Sequence, residues 1–289
     1  MNGSATEKAR RYGMKQLEMY CYDLRQQVLD MIVAGRAGHI GGDMSVMEIL
    51  VAIYDRMRIA PETAESPERD RFVLSKGHCV EALYAVLAAH GFLDIQEVIA
   101  SYSKFGSKYI GHPNNRIPGI EMNSGSLGHG LCVCVGMALA GKMDGLGYRV
   151  YTVMGDGELA EGSVWEAAMA ASQYQLDHLC AVVDRNHLQI SGSTEEVMAQ
   201  NALDARFESF GWHVINVENG NSISQLQSAL DEAEQTQGRP TLLIANTVKG
   251  CGSPLMENQA AWHHKVPTQE EYIQISRDFS ARKEALSRE

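Results

Sequence analysis

Two oxygen-bearing side chains that could bind a metal ion, Asp156 and Asn186, each follow an apolar segment. Asp156 lies between two glycines directly after the run Tyr151–Met154, and Asn186 follows the run Leu179–Val183. Both runs have the β-branched and apolar composition of buried parallel strands. Parallel strands joined by a crossover helix bring their carboxyl ends to one edge of a sheet. We therefore expect Asp156 and Asn186 to face one site at that edge, where open α/β folds hold ligands.

The oxygens of these two side chains suit Mg²⁺ or Ca²⁺ and suit zinc poorly. Mg²⁺ is usually held by one or two protein carboxylates, with phosphate oxygens and water completing its octahedron. We expect a backbone carbonyl of the loop around Leu188 as a third ligand, so the predicted metal ligands are Asp156, Asn186 and Leu188. The implied partner of the metal is a diphosphate. The alternative is that Gly-Asp-Gly is only a turn between strand and helix, and Asn186 an ordinary loop residue.

The motif Gly155-Asp156-Gly157 followed by Asn186 resembles the thiamine diphosphate motif, and the surrounding GDGELAEGSVWEAAMAAS resembles transketolases in particular. The likeness extends through nearly the whole chain. It implies an α/β diphosphate-binding domain, a doubly wound parallel sheet with helices on both faces. It also implies thiamine diphosphate as the cofactor and Mg²⁺ as its metal, with Ca²⁺ or Mn²⁺ as substitutes. By this resemblance Gly155, Asp156, Gly157 and Glu158 contact the cofactor.

The loop Gly38–Gly42 contains a histidine, His39, that could assist proton transfer. By itself a loop histidine is usually a polar surface residue. Transketolases carry a Ser/Ala-Gly-His loop at this place, with its histidine near the reacting carbon and the thiazolium. The resemblance therefore implies that His39 is a catalytic and cofactor-binding residue. We expect Asp43 or Ser45 to cap the following helix, which extends through Tyr54.

A short predicted strand, Arg71–Leu74, is followed by Ser-Lys-Gly-His, which places Lys76 and His78 at another strand terminus. Two such donors at the same rim can hold an anion. In transketolases the matching Ser-x-Gly-His holds the cofactor diphosphate through its histidine, so we assign His78 and Lys76 to cofactor binding. The alternative is a solvated Lys76 and a His78 that caps the helix Val80–Ala89.

A loop rich in Gly, Pro and Asn contains Gly-His-Pro around His112 and continues to Gly125, Ser126 and Leu127. Transketolases have Gly-His-Pro here, and its histidine contacts the carbonyl and first hydroxyl of the donor sugar. The resemblance therefore implies a catalytic His112. Deoxyxylulose-phosphate synthases, the nearest relatives, do not usually keep this histidine. By the same resemblance, residues 125–127 offer backbone groups and an apolar side chain to the aminopyrimidine of the cofactor.

Positive charge recurs after a further strong strand pattern, Pro240–Ala245, where Lys249 lies in a glycine-containing turn suited to phosphate. Farther on, Trp262-His263-His264 resembles the transketolase stretch that contains Trp-His-Gly. The resemblance implies that His263 is a diphosphate ligand and a catalytic residue, while His264 replaces the usual glycine. The alternative is a zinc site on both histidines, although adjacent residues rarely both bind one ion.

The remaining segments alternate between helix and strand patterns, as in one α/β domain. We predict helices over Thr6–Ala34, Leu131–Lys142, the segment from Glu158 on, Ile223–Gln235 and Thr268–Arg288, a strand over Trp212–Val217 and a polar loop over Ile190–Asn201. The helix after Glu158 presents one apolar face at helical spacing, made by Trp165, Ala168, Met169, Ser172 and Leu176. The predicted domain covers 1–289, with a helical segment about 1–60 and a helical tail about 268–289.

The composition, 45% hydrophobic and 21% charged residues among 289, is that of an ordinary soluble globular protein. A formal net charge of −11 argues against nucleic acid or an anionic membrane as a partner. Six cysteines without a Cys-x-x-Cys pair suit a reducing cytosol. The N-terminal sequence lacks an apolar signal-peptide core, so we expect a cytoplasmic protein.

The resemblance implies transfer of a two-carbon ketol unit from a ketose (phosphate) to an aldose (phosphate). A complete transketolase is longer, and its pyrimidine-binding domain provides a Glu that hydrogen-bonds the aminopyrimidine ring. We therefore expect the N-terminal subunit of a split transketolase, active only with a C-terminal partner subunit in an α2β2 heterotetramer. The alternatives are one chain of a 2-oxo-acid dehydrogenase or deoxyxylulose-phosphate synthase type of enzyme, and a non-catalytic regulatory paralogue.

Overall fold

A five-stranded parallel sheet is the centre of the computed structural model, which describes residues 13–288. The strands, together with those of a small separate hairpin, are β1 (Arg71–Leu74), β2 (Val150–Gly155), β3 (Leu179–Arg185), β4 (Leu188–Gln189), β5 (Gly192–Ser193), β6 (His213–Val217) and β7 (Thr241–Asn246). The sheet order is β1-β2-β3-β7-β6, and β4 pairs with β5 in antiparallel fashion.

Ten α-helices of the described chain surround this sheet. They are α1 (Met14–Gly35), α2 (Ile40–Arg56), α3 (Val80–Ala89), α4 (Ile95–Ser101), α5 (His129–Asp144), α6 (Gly162–Gln173), α7 (Thr194–Met198), α8 (Leu203–Ser209), α9 (Ile223–Gln235) and α10 (Gln269–Arg288). Among them, none combines the length and apolarity that crossing a bilayer requires.

Both faces of the sheet are buried, because neighbouring residues of one strand enter different cores. On β2, Tyr151 and Val153 pack in a cluster with residues of α1, α2, α3, α9 and α10. Val150 and Met154 pack in a second cluster with residues of α5, α6 and α8. Strands buried on both faces are expected to be continuously apolar, as these are. The predicted doubly wound sheet with helices on both faces is confirmed.

The register of the sheet brings several strand ends level with one another. Leu74 pairs with Val153, Gly155 with Asp184, and Arg185 with Asn246. The segments that follow β1, β2, β3 and β7 therefore leave the sheet at one edge, which is the edge predicted to carry the site.

Helix α2 is buried on all sides, with every residue from Ile40 to Tyr54 inaccessible. The expected cap at Asp43 or Ser45 is wrong, because the carbonyl of His39 already accepts hydrogen bonds from the N–H groups of Gly42 (3.0 Å) and Asp43 (3.2 Å). His39 is thus the residue immediately before the helix. Tertiary packing outweighs the poor helix propensity of the glycines here.

The segment after Gly-Asp-Gly also differs from the prediction. Glu158 lies in a short 3₁₀ turn, and α6 begins only at Gly162. Met169, assigned to the apolar face, is 51% exposed, and Leu176 is buried although it lies beyond the end of the helix. Because this turn delays the start of the helix to Gly162, the apolar helix face that was predicted from Glu158 onwards is only partly correct.

The predicted polar loop Ile190–Asn201 is wrong in its middle, where β5 and α7 form. Ser193 and Glu196 make a capping box at the start of α7, with the Glu196 N–H donating to Ser193 Oγ at 3.2 Å. The elements α4 and α8 were not predicted. Short helices of this kind carry too few periodic residues to be recognised from hydrophobic pattern.

Three helix predictions agree well with the structure. Helix α9 has the predicted bounds, and α5 contains the predicted span. The predicted helix Thr268–Arg288 agrees with α10, before which the Thr268 N–H donates to Glu271 Oε2 (2.9 Å) and the Glu271 N–H donates to Thr268 Oγ1 (3.2 Å) in a capping box. The start of the helix predicted from Thr6 lies outside the described residues.

Candidate active site

The structure places Asp156 and Asn186 on adjoining backbone at the carboxyl edge of the sheet. Asp156 Oδ2 accepts a hydrogen bond from the N–H of His187 at 2.7 Å, and Oδ1 accepts from the N–H of Gly157 at 2.8 Å. Asn186 Oδ1 accepts from the N–H of Leu188 at 3.2 Å. Asp156 is 3% and Asn186 5% exposed. Two strand termini therefore hold their oxygen-bearing side chains in one buried place.

The third expected oxygen, the carbonyl of Leu188, lies beside a cationic group. Lys249 Nζ donates to this carbonyl at 3.2 Å and also lies 3.0 Å from His263 Nδ1. Burial, followed by the charge of Lys76, lowers the pKa of Lys249 to about 8. The ammonium has no carboxylate partner among the ion pairs of the described residues. It is therefore suited to an anionic ligand such as a phosphate.

A polar network that sequence reasoning missed orients Asn186. Asn186 Nδ2 donates to Ser45 Oγ at 3.2 Å, and that hydroxyl lies 2.6 Å from Asp184 Oδ2. Asp184 also accepts from Lys76 Nζ at 2.5 Å and from the Thr247 hydroxyl. Because the amide nitrogen donates to Ser45, the orientation of the amide is fixed, and Asn186 Oδ1, which accepts the Leu188 N–H, keeps a second lone pair for a ligand. The sequence did contain one signal for this network, Asp184, because a carboxylate at the end of a buried apolar strand needs a partner.

Lys76 is placed differently from a simple phosphate ligand, because its ammonium is paired with Asp184. The two side chains are 1% and 0% exposed. Burial opposes the charge of Lys76, but the Asp184 carboxylate outweighs it and raises the pKa of the lysine. Lys76 therefore stays charged and contributes positive potential behind the site, where it also lowers the pKa of His78.

Around His39 lie the three other predicted histidines and His264, which together form one cluster. Ring centroids lie 5.4 Å from His39 to His78, 5.9 Å to His112, 5.7 Å to His263 and 4.7 Å to His264. The buried Nδ1 of His39 has no hydrogen-bond partner among the described residues. Such an unsatisfied buried nitrogen fits a site that a ligand completes.

These imidazoles are poor bases in their environment. Burial, then neighbouring His264, lowers the pKa of His39 to about 4. Burial, then Lys249, lowers the pKa of His263 to about 3. Burial also lowers the pKa of His78 and of His112. All four rings are therefore neutral near pH 7, with one nitrogen able to donate and one able to accept a hydrogen bond.

The loop at Gly125 closes against His112. A Cβ at Gly125 would lie 2.6 Å from His112 Cδ2, and its φ of 134° is unfavourable for other residues. Ser126 is exposed and Leu127 partly buried next to it. Of the predicted aminopyrimidine contacts, Gly125 therefore lies against the histidine cluster.

Glu158, predicted to contact the cofactor, is engaged by protein groups. Its carboxylate accepts from the Ser75 hydroxyl, from the N–H of Gly128 at 2.8 Å and from the N–H of Gly155 at 3.0 Å. It thus joins three segments that border the site. These hydrogen bonds indicate that Glu158 supports the site by holding these segments together.

The donor set fits thiamine diphosphate with a divalent cation. Asp156, Asn186 and the Leu188 carbonyl are hard oxygens that suit Mg²⁺, and Lys249 beside His263 suits a diphosphate. Within residues 13–288, no group of three His, Cys, Asp or Glu is arranged to hold a metal ion. A zinc site on His263 and His264 therefore has no third ligand of these types among the described residues. The set of Asp156, Asn186 and the Leu188 carbonyl contains only one carboxylate and is not a group of this kind.

A parallel sheet whose carboxyl edge combines these oxygens with neutral imidazoles defines an α/β domain of the thiamine diphosphate-binding class. Residues 18–283 match the family model described as transketolase, thiamine diphosphate binding domain. The chain belongs to the transketolase family, and the predicted family is confirmed.

Relatives and solved structures agree with this membership. Over 277 residues, the chain is 48% identical to an apulose-4-phosphate transketolase subunit of Phocaeicola vulgatus, covering 96% of this chain and 98% of that protein. It is 42% identical over 249 residues to the 6-deoxy-6-sulfo-D-fructose transketolase subunit of a Clostridium species, covering 86% and 90%. A Pichia stipitis transketolase structure matches with a TM-score of 0.87 and 31% identity, covering 91% of this chain and 40% of that one.

These comparisons confirm the prediction of a transketolase-type transferase in the form of an N-terminal subunit. The chain matches nearly the full length of the two bacterial subunits but spans only 40% of the Pichia stipitis chain.

Proposed function

We propose that this chain binds thiamine diphosphate through Mg²⁺ and, with a second chain, transfers a two-carbon ketol unit from a ketose (phosphate) to an aldose (phosphate). The observation that carries the proposal is that the predicted metal ligands and the histidine cluster meet at Lys249. Lys249 Nζ contacts both the Leu188 carbonyl and His263 Nδ1, and His263 lies 5.7 Å from His39 between ring centroids. Metal-type oxygens, an anion donor and neutral imidazoles therefore adjoin one another.

Each group has a separate role in this proposal. Asp156, Asn186 and the Leu188 carbonyl hold the metal, and Lys249, His78 and His263 hold the diphosphate. Gly155, Gly157, Gly125, Ser126 and Leu127 provide backbone and rim contacts, while Lys76 and Glu158 support the site through their protein partners. When bound, thiamine diphosphate supplies an electron sink for breaking the bond next to a ketose carbonyl.

The imidazoles of this chain handle protons and orient the substrate. Because the pKa values of His39 and His263 lie at about 4 and about 3, their rings are neutral at pH 7 and can donate one proton in a hydrogen bond. His112 has a lowered pKa and can do the same towards the carbonyl and hydroxyl of a donor sugar. Neutral donors polarise a developing oxyanion without adding a buried charge.

The proposal includes a C-terminal partner subunit with the pyrimidine-binding domain and its Glu, in an α2β2 heterotetramer. It is supported by two relatives of similar length that are named as transketolase subunits. Sugar or sugar-phosphate substrates are proposed because the names of these relatives contain apulose-4-phosphate and 6-deoxy-6-sulfo-D-fructose. A cytoplasmic location is also proposed, and it is supported by six cysteines that are all free thiols.

Ketol transfer by the reconstituted pair tests the proposal. The chain is titrated with thiamine diphosphate and Mg²⁺, with and without the proposed C-terminal partner chain. We expect ketol transfer only when both chains, the cofactor and the metal are present. Cofactor binding without any transfer in the pair would favour the regulatory alternative, and 2-oxo-acid turnover would favour a different thiamine enzyme.

A further inference from the structure

Two buried carboxyl groups outside the proposed ligand set, Asp43 of α2 and Glu81 of α3, lie directly behind His39. Both residues are 0% exposed, and Asp43 Oδ1 accepts a hydrogen bond from the N–H of Ala82, the residue after Glu81, at 3.0 Å. Asp43 Oδ2 and Glu81 Oε2 are buried without a hydrogen-bond partner among the described residues. Because an ionised carboxylate only accepts hydrogen bonds and two neighbouring negative charges repel each other in a dry interior, this arrangement favours one proton between the two groups.

This pair is tied to the backbone that carries His39. A Cβ at Gly38, the residue before His39, would lie 2.7 Å from Glu81 Oε1, so the Glu81 carboxyl packs against this turn. Asp43 Oδ1 accepts from the N–H of Ala82 at 3.0 Å, which joins α2 to the start of α3. The turn that presents His39 thus rests on Glu81, while Asp43 holds Glu81 in place.

The same cluster reaches the loop that carries His112. The Tyr102 hydroxyl donates to Glu81 Oε1, and a Cβ at Gly111 would lie 3.4 Å from that hydroxyl oxygen. The Tyr84 hydroxyl donates to the carbonyl of Ile110 at 3.0 Å. The backbone on the amino side of His112 therefore packs against the tyrosines that border the carboxyl pair.

We propose that Asp43 and Glu81, sharing one proton, are positioning residues that hold the His39 turn and, through Tyr102, the His112 loop. Loss of the shared proton would place two negative charges side by side in a dry interior and separate the carboxyl groups. In the proposed ketol transfer, on which the catalytic part of this inference rests, His39 and His112 would then lose their relative placement.

The direction of the pH dependence follows from burial. Burial raises the pKa of Glu81 from 4.5 to about 7 against the hydrogen bond from Tyr102, and burial together with Glu81 raises the pKa of Asp43. The titratable groups that face the pair are His39, Lys76, Cys79, Tyr84 and Tyr102. A raised carboxyl pKa favours the folded state at low pH. This stabilisation is present below pH 4.5 and is lost as the pH rises to about 7.

Urea unfolding between pH 5 and pH 8 tests the shared proton without relying on activity. Asp43→Asn/Glu81→Gln keeps the shape and supplies an amide donor but cannot titrate. We expect the free energy of unfolding of the wild type to fall with pH relative to this variant, with a slope of about one proton. Gly136→Ala, which changes an open position of α5 and no titratable group, should keep the wild-type slope. Identical slopes in wild type and double variant would overturn the proposal.

Turnover with the partner chain tests the positioning role. A misplacement of about 1 Å can cost about 10²-fold, so Asp43→Ala should lower kcat by up to that factor and change KM much less. Asp43→Asn, which can still hydrogen-bond Glu81, should restore most of the turnover. In this variant kcat should also lose the pH dependence near neutrality that the shared proton causes. Equal kcat in Asp43→Ala and wild type would refute positioning. Absence of ketol transfer in the wild type would instead refute the proposed function, while the unfolding test still decides on the pair.

Discussion

At the scale of single residues, the proposed function assigns cation binding and proton handling to different side chains. Asp156 is buried and fixed by two backbone N–H groups, which orients its remaining lone pairs. His39 and His112 are neutral because burial lowers the pKa of each. A substitution of Asp156 should therefore leave proton handling by the histidines largely intact, and a substitution of His112 should leave cation binding largely intact.

Asp156→Ala removes the carboxylate of the proposed metal set and should abolish Mg²⁺-dependent binding of thiamine diphosphate. Isothermal titration of the cofactor with and without Mg²⁺ measures this effect. Asp144→Ala, an exposed carboxylate at the end of α5, is the matched control and should bind like the wild type. Unchanged affinity in Asp156→Ala would refute the metal assignment.

His112→Ala should lower kcat for ketol transfer by about 10²–10⁴-fold, the usual contribution of a positioned acid or base. Its cofactor affinity should stay close to that of the wild type, because the proposed diphosphate donors are untouched. His213→Ala, at the amino end of β6 where it pairs with Glu232, controls for loss of any imidazole. Loss of cofactor binding in His112→Ala would count against a role confined to the substrate.

At the scale of elements, the amino end of α2 joins the two halves of the site. His39 precedes its first turn, Ser45 on the second turn meets Asn186, and Gly41 packs under Trp262. A Cβ at Gly41 would lie 2.7 Å from the carbonyl oxygen of Trp262 and 3.3 Å from Lys249 Cε. The glycines of this helix therefore allow a close approach that any side chain would prevent.

Gly41→Ala should destabilise the protein by about 1–3 kcal/mol, because overpacking moves the Trp262 backbone. The same shift should weaken cofactor binding through the adjacent His263. Gly136→Ala in α5 is the matched control, since a Cβ there meets nothing within 4 Å. That variant should be stabilised by about 0.5–1 kcal/mol. Urea unfolding measures both effects, and equal stability of the two variants would show that the close contact does not matter.

At the scale of the whole molecule, the chain collects several strand ends at one edge and spans only part of a longer transketolase. The net charge is −11, yet Lys249 lacks a carboxylate partner at that edge among the ion pairs of residues 13–288. An anionic ligand is therefore attracted by a local charge and not by the overall field. We therefore expect a second chain to complete the site.

Sedimentation equilibrium of the co-expressed pair should give a complex with two copies of this 31.8 kDa chain and two of the partner. The physical reason is that oligomers close through symmetric interfaces, most often about a twofold axis. His112→Ala should assemble like the wild type, since it changes the site and not the fold. A stable one-to-one complex would contradict the proposed heterotetramer.

The position of Asp156 and Asn186 at one edge of the sheet could be predicted because each follows an apolar strand. Ser45 and Asp184 were missed as site-supporting residues, since their contact spans 139 positions of sequence. The domain boundaries and the individual site roles stay predictions.

The sequence by itself determined the sheet, the family and the candidate site residues, because strand patterns and short motifs are local properties. Only the tertiary structure decided that α2 begins at Ile40, that Lys76 is paired with Asp184, and that Asp43 lies beside Glu81 behind His39. Each of these depends on the packing of segments distant in sequence. Burial then sets which charge is paired and which proton is shared, because a charge in a dry interior is stable only beside a suitable partner.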